Sequence, residues 1–364
     1  MNTPAPLEVQ PVVPYAQSLA AFVQLGRVFR HFAQGDPWPG HFCGLGQVEF
    51  DEFDALVKRS RQRNGWFTEE NVRHALGGLA ALLEENALTS WAAAYPELGV
   101  ARGPVRTVGL VLAGNIPMVG FHDVLCVLLS GHRARIKCSS DDAELIPATI
   151  ALLEIFAPGI VGQAMVTDGK LTDIDAVIAT GSTNTSRYFE HYFGHLPRIV
   201  RKGRVSVAVL DGNETEAELQ GLGEDLFRYF GLGCRNVSKL YVPRDYDLDR
   251  VFRAIFPWQE IVNHHKYANN YDYNRAIWLL DQAPILENGF VVFKEETALS
   301  SPVAAVYYER YDERSAVNRV LEELADRIQC VVGHGHVPFG AAQCPGPGEY
   351  ADGVDTLRFL LDLK

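Results

Sequence analysis

VRTVGLVLAGNIPMVGFHDVLCVLLSGHRARIKCSS, residues 105–140, alternates two short apolar runs with one helical run. VRTVGLVLAG and RARIKCSS are each the length of a strand, and GFHDVLCVLLSGH between them carries apolar residues on a helical repeat. Strand, helix, strand is the grammar of a parallel crossover, and it implies a sheet with helices packed on its faces. The pattern continues through DAELIPATIALLEIFAPG, GQAMVTDG and IDAVIATGS. Upstream, residues 1 to about 100 read as helical. Thr68 can cap a helix, Glu69 and Glu70 suit its first turn, and Val72, Leu76, Leu79 and Leu83 recur at helical spacing. After Lys202 the strand VSVAVLDG leads to the helix TEAELQGLGEDLFRYFG, then to Cys234 and the strand KLYVP, and a second α/β unit runs to about Val332.

The sequence thus divides into an N-terminal helical region with a nucleotide-binding unit over 1–203, a catalytic unit over 204–333, and a tail over 334–364. The tail is read as a Gly- and Pro-rich loop followed by a strand that returns to the nucleotide-binding unit or meets another subunit. A chain of 364 residues exceeds what one core usually spans, and 47% hydrophobic residues supply enough for two. A formal net charge of −12 without a basic cluster argues against nucleic acid or an anionic membrane as the main partner. The N-terminus lacks the basic region and apolar core of a secretory signal, and no run is long enough to span a bilayer, so a cytoplasmic location is expected. The six cysteines form no CxxC pair, which favours free thiols over disulfides or zinc. His264 with His265, and His334 with His336, lack a third ligand nearby, so no metal is expected.

A parallel sheet places a ligand at the carboxyl ends of its strands, yet the GxGxxG fingerprint is absent. Two strand ends carry suitable polar residues: IKCSS, and ATGSTNTSR, where Gly181 and Ser182 precede a helix and form either an anion site or an ordinary N-cap. Five segments then occur in order: AGNIPMVGFHDVLCVLLSGHRARIKCSS, IATGSTNTSR, FGLGCRNVSKLYVP, FKEETALSSPVAAVY and VPFGAAQCPGPGE. Together they resemble the active-site segments of the aldehyde dehydrogenase superfamily. Within it they are most similar to the acyl-CoA reductases of the luminescence fatty-acid reductase type, which NGWFT and GFHD also resemble. The likeness covers about 65 to 364.

The resemblance implies an α/β fold with a Rossmann-type nucleotide-binding domain and a second α/β catalytic domain. It implies Cys234 as nucleophile, since a thiolate attacks a thioester readily and can leave again. Asn115 would offer its amide to the oxyanion together with the Cys234 N–H. Lys137, with Ser139 and Ser140 after it, would contact the nucleotide, Gly181 and Ser182 would lie under the pyrophosphate, Glu296 would hold the nicotinamide ribose, and Phe339 would mark a loop lining the site. The spacing of EETALSSPV leaves Glu295 as an alternative to Glu296. Asn115 could instead cap a turn and Lys137 be a surface lysine. Cys126 and Cys330 read as core residues, and Cys138 as packing despite its neighbour Lys137.

Relatives that release free acids carry a glutamate in an ELGGK-like segment, where it activates water. Here VRKGR, residues 200–204, stands in its place, with Val200 at the glutamate's position. The resemblance therefore implies reduction of an acyl-CoA to an aldehyde through a cysteine acyl-enzyme, using NADP(H), with NAD(H) possible. Ser140 at the position of the usual acidic ribose ligand favours NADP(H), unless Asp141 or Asp142 takes over that contact. The alternatives are an acyl-phosphate reductase of the glutamyl phosphate reductase kind and a non-catalytic nucleotide-binding subunit. A homo-oligomer is possible.

Overall fold

A computed structural model describes residues 12–100, 103–181 and 183–364. The chain opens with helices α1 (Tyr15–Gln34), α2 (Gln47–Arg63), α3 (Glu69–Leu82) and α4 (Glu85–Ala93). Thr68 caps α3 by accepting from Asn71 N at 3.2 Å, and Val72 and Leu76 on its inner face are fully buried. The alternation after residue 105 resolves into β1 (Thr107–Val111), α5 (Phe121–Leu129), β2 (Arg133–Lys137), α6 (Leu145–Phe156), α7 (Ile160–Gln163), β3 (Ala164–Val166), β4 (Ala176–Thr180), α8 (Thr183–Phe193) and β5 (Arg198–Arg201). These strands form one parallel sheet in the order β3-β2-β1-β4-β5. The chain moves outward from β1 through β3 and then crosses back to β4, so the direction of winding reverses between β1 and β4. Ligands of open parallel sheets bind at such a reversal, beyond the carboxyl ends of the strands.

The N-terminal helices share the core of this sheet. Phe22 and Phe29 of α1 meet Phe121 of α5 at ring separations of 6.1 Å, and Phe32 stacks on Phe50 of α2 at 4.4 Å. All of these rings are buried. Full burial of a phenylalanine stabilises by roughly 1.5–3 kcal/mol, so this cluster fixes α1 and α2 to the sheet.

The second unit comprises β6 (Val205–Val209), α9 (Glu216–Phe227), β7 (Val237–Pro243), α10 (Asp249–Ala254), α11 (His265–Leu280), β8 (Ile285–Glu287), β9 (Val292–Glu295), β10 (Ala305–Tyr311), α12 (Arg314–Glu323) and β11 (Ile328–Gly333). Its sheet runs β11-β6-β7-β10-β9-β8, parallel except for the β8–β9 pair. The tail does return to the first unit, but its last apolar run is the helix α13 (Thr356–Leu361), not the expected strand. Asp355 caps it by accepting from Arg358 N at 2.8 Å, and Leu357 and Leu360, three apart, are buried in the first core. Spacing of three, rather than two, decides helix over strand. Among the described residues no helix is long and apolar enough to cross a membrane.

Candidate active site

The loop after β1 is crimped into one shape. Met118 has φ of 56°, and its N–H donates to Asp142 Oδ2 at 2.6 Å. A Cβ on Gly114 would stand 2.7 Å from the Ser139 side chain and 3.1 Å from Asp142 N, so only glycine lets the two loops meet. Asp142 is buried, and burial pushes its carboxyl up to about 6. This carboxylate is therefore spent on the loop and is not available to a ribose. The clamp fixes Asn115, whose Nδ2 donates to the Leu232 carbonyl at 2.8 Å and so joins the β1 loop to the chain approaching Cys234.

That approach is strained. Tyr229, Phe230 and Gly231 have φ of 54°, 59° and 75° in succession, and two bulky residues in the left-handed region cost on the order of 1–3 kcal/mol each. The surroundings over-determine the turn. Asn236 is buried and donates to the carbonyls of Asp225 (3.0 Å) and Arg228 (2.9 Å), while its Oδ1 accepts from Gly233 N at 2.8 Å. Tyr229 Oη lies 3.0 Å from His74 Nδ1 on α3, and Phe230 packs against Trp66 and His264, whose rings stack on each other. Ser206 Oγ donates to the Cys234 carbonyl at 3.0 Å.

Cys234 lines a cavity of about 160 Å³ between the two units, with Leu79 and Leu82 of α3, Ile116 and Pro117 of the β1 loop, and Gln343 of the tail. Burial pushes its thiol up to about 11, against the opposing pull of Arg235 and its own backbone N–H. Two carboxylates reach the cavity, and arginines hold both. Asp123 is ion-paired with Arg201, both buried, and Arg201 Nη2 also donates to Thr356 Oγ1 at 2.8 Å. Glu349 accepts from Arg235 Nη2 at 3.1 Å. His122, also in the cavity, is 2.8 Å from the Pro347 carbonyl through Nε2 and 3.9 Å from Cys126 Sγ through Nδ1. Val200 is half-buried on β5 opposite Ala179.

The structure gathers one group of sequence-derived positions and separates another. Lys137 ends β2 and is exposed; Ser139 follows, accepting from Asp141 N at 3.2 Å, and Ser140 is exposed. Gly181 ends β4, with its N–H donating to the Arg201 carbonyl at 3.3 Å. With Asn115 these residues surround the reversal between β1 and β4. Ser182 lies outside the described residues. Glu296 is not brought to Cys234. It follows β9 at the level of Tyr241, four residues and about 13 Å along the sheet from Val237. There Lys294 Nζ (2.6 Å) and Thr297 N (2.9 Å) hold its carboxyl down at about 2. Phe339 packs against the core of the second unit, 5.8 Å from the His334 ring, and it is Gln343, Pro345, Gly346 and Glu349 of the same tail that reach the cavity.

Some contributors carried no sequence signal of their own. Asn236 acts through backbone groups of the turn before Cys234, and Arg63 of α2 donates from Nε to the Ser140 carbonyl at 3.2 Å. Arg135, by contrast, is taken up by the Thr172 carbonyl (3.1 Å) and Asp173. Burial pushes the Cys138 thiol up to about 12, so Lys137 does not activate it. Among the described residues no three His, Cys, Asp or Glu side chains could hold a metal ion. His334 instead lies between Asp211 (2.8 Å) and Glu218 (3.1 Å), and His264 donates to the Gly65 carbonyl at 2.8 Å.

No family model and no curated protein matches the chain. Solved structures do. The indole-3-acetaldehyde dehydrogenase AldA of P. syringae, in complex with NAD+ and IAA, aligns over 87% of this chain and 71% of its own with a TM-score of 0.59 and 15% identity. Aldehyde dehydrogenase 21 of Physcomitrella patens, in complex with succinate, aligns over 86% of this chain and 74% of its own (TM-score 0.58, 13% identity). Proline utilization A of Bradyrhizobium japonicum aligns over 88% of this chain but only 36% of its own length (TM-score 0.59, 16% identity). The chain has an aldehyde dehydrogenase-like fold.

Proposed function

We propose that the protein reduces an acyl-CoA thioester to an aldehyde through an acyl-enzyme on Cys234. The observation that carries this reading is a cysteine in a cavity whose two lining carboxylates are each held by an arginine; the resemblance, which sets Val200 where hydrolytic relatives carry a glutamate, supports it. With both carboxylates neutralised, neither is free to activate water, and an acyl-enzyme on Cys234 outlasts encounters with water.

In this reading Cys234 Sγ adds to the thioester carbonyl and the carbonyl oxygen becomes an oxyanion. The intermediate collapses with cleavage of the bond to coenzyme A, whose thiolate takes up the proton that Cys234 gave up. The crevice between β1 and β4 suits a nicotinamide dinucleotide: Gly114 allows the close approach of the two loops, Lys137 offers a free ammonium, and Ser139, Ser140 and Gly181 lie at adjacent strand ends. When bound, that group supplies a hydride to the acyl carbon. The alkoxide formed on Cys234 then expels the Cys234 thiolate, which regains its proton from solvent, and releases aldehyde. NADPH is the expected form, because Ser140 carries no charge against a 2′-phosphate and Asp142 is committed to Met118.

The test is incubation with NADPH and acyl-CoAs of graded length, following absorbance loss and released thiol, beside an acyl phosphate. Stoichiometric thiol release and NADPH consumption with acyl-CoA support the reading. Turnover of the acyl phosphate alone would replace it with the acyl-phosphate reaction, and binding of NADPH without turnover of either substrate would contradict an enzymatic role.

A further inference from the structure

Stabilising an oxyanion on the Cys234 adduct requires donors that are aimed into the cavity and not already committed. Asn115 meets this only in part, since it is exposed and its Nδ2 donates to the Leu232 carbonyl. The Gln343 carboxamide, by contrast, lines the cavity. Gln343 Nε2 is buried and has no hydrogen-bond partner among the described residues. The carboxamide lies against the residue that precedes the nucleophile, because a Cβ on Gly233 would stand 3.6 Å from Gln343 Oε1. Its segment is held there from both sides. Arg235, next to Cys234, donates from Nε to the Ala342 carbonyl, and Ala342 N donates to Asp225 Oδ1 at 3.0 Å. A buried amide N–H without a partner is destabilising, and that cost is recovered when an oxygen arrives to accept from it.

We propose that Gln343 is a catalytic residue, whose side-chain N–H donates to the substrate carbonyl oxygen as Cys234 attacks and again as hydride arrives. The proposal rests on Cys234 being the acylated nucleophile. No atom is transferred to or from Gln343. Its N–H shortens onto an oxygen whose charge grows as the C–S bond forms and shrinks as either thiolate leaves. The cavity arginines are committed to Asp123 and Glu349, so Gln343 supplies a neutral donor that does not compete with those ion pairs.

The measurement is the carbonyl stretch of an acyl-enzyme labelled with ¹³C at the acyl carbon, recorded by difference infrared spectroscopy without NADPH in wild type, Gln343→Met and Gln343→Glu. The kcat for reduction is followed in parallel. Methionine preserves the volume and removes the donor, and glutamate presents a negative charge. The expected result is an adduct in all three proteins, a carbonyl band shifted to higher frequency in both variants, and kcat lower by on the order of 10²-fold with KM little changed. Adducts with the wild-type band and wild-type kcat in either variant would overturn the proposal. If one variant fails to fold, the other decides. Failure of the wild type itself to form an adduct would instead defeat the acyl-enzyme reading.

Discussion

Cys234 rests as a thiol, because burial raises its pKa to about 11 and Arg235 offsets only part of that. The thiolate is the reacting form, so its fraction rises about tenfold per pH unit below that pKa. Alkylation of Cys234 by iodoacetamide should accelerate steadily from pH 7 to pH 10, and a plateau below pH 9 would show that another group lowers the pKa. Cys234→Ala should abolish both covalent acylation and aldehyde formation, while Cys126→Ser and Cys138→Ser leave acylation in place in folded protein; intact-mass spectrometry distinguishes these cases. An acyl adduct on Cys234→Ala would sink the assignment. Cofactor choice also lies at this scale. Ser140 is exposed, and Arg63 of α2 reaches its carbonyl. Ser140→Glu should lower kcat/KM for NADPH, by on the order of 1–3 kcal/mol in transition-state stabilisation, far more than for NADH. Equal losses for both cofactors would contradict the assignment.

At the scale of elements, the site depends on two loops clamped by buried side chains. Asp142 holds the β1 loop through Met118 N, and its pKa is raised by burial to about 6 against an unfolded value of about 3.9. A raised folded-state pKa favours the folded protein below the unfolded value and loses that contribution as pH rises through the folded one. Asp142→Asn keeps an acceptor for Met118 without the buried charge. It should therefore match wild type near pH 3.5 and gain on it between pH 4 and pH 7, by up to about 2–3 kcal/mol in urea unfolding. A difference independent of pH would show that Asp142 is not the titrating group. The strands and the β1 loop were legible because alternation, strand-length apolar runs and an ordered set of segments all act locally. The tail helix was less legible because it is only six residues long, so the spacing of Leu357 and Leu360 and the Asp355 cap are its only helical signals.

At the scale of the molecule, the loop after β1 meets the chain leading into β7, where Asn115 Nδ2 donates to the Leu232 carbonyl shortly before Cys234. Glu296 shows where sequence order fails as a guide. Residues 297–304 run back along the sheet, with Leu299 packed against its face and its carbonyl accepting from Ser238 Oγ at 2.8 Å, so one segment touches opposite ends of β9 and β10. Segment order cannot show which end faces the cavity. In the same way the tail was recognised as part of the site, but its contributors are Gln343 and Glu349, because Phe339 is drawn into the second core.

In the proposed reaction the assembled cavity determines the fate of the acyl group. Asp123 and Glu349 are neutralised by Arg201 and Arg235. The decisive measurement is the lifetime of the Cys234 acyl-enzyme without reductant, by intact-mass spectrometry of protein acylated with an acyl-CoA and freed of excess reagent. The adduct should persist in buffer and disappear much faster on addition of coenzyme A. Rapid release of free acid without coenzyme A would contradict the account and require a water-activating base in this cavity.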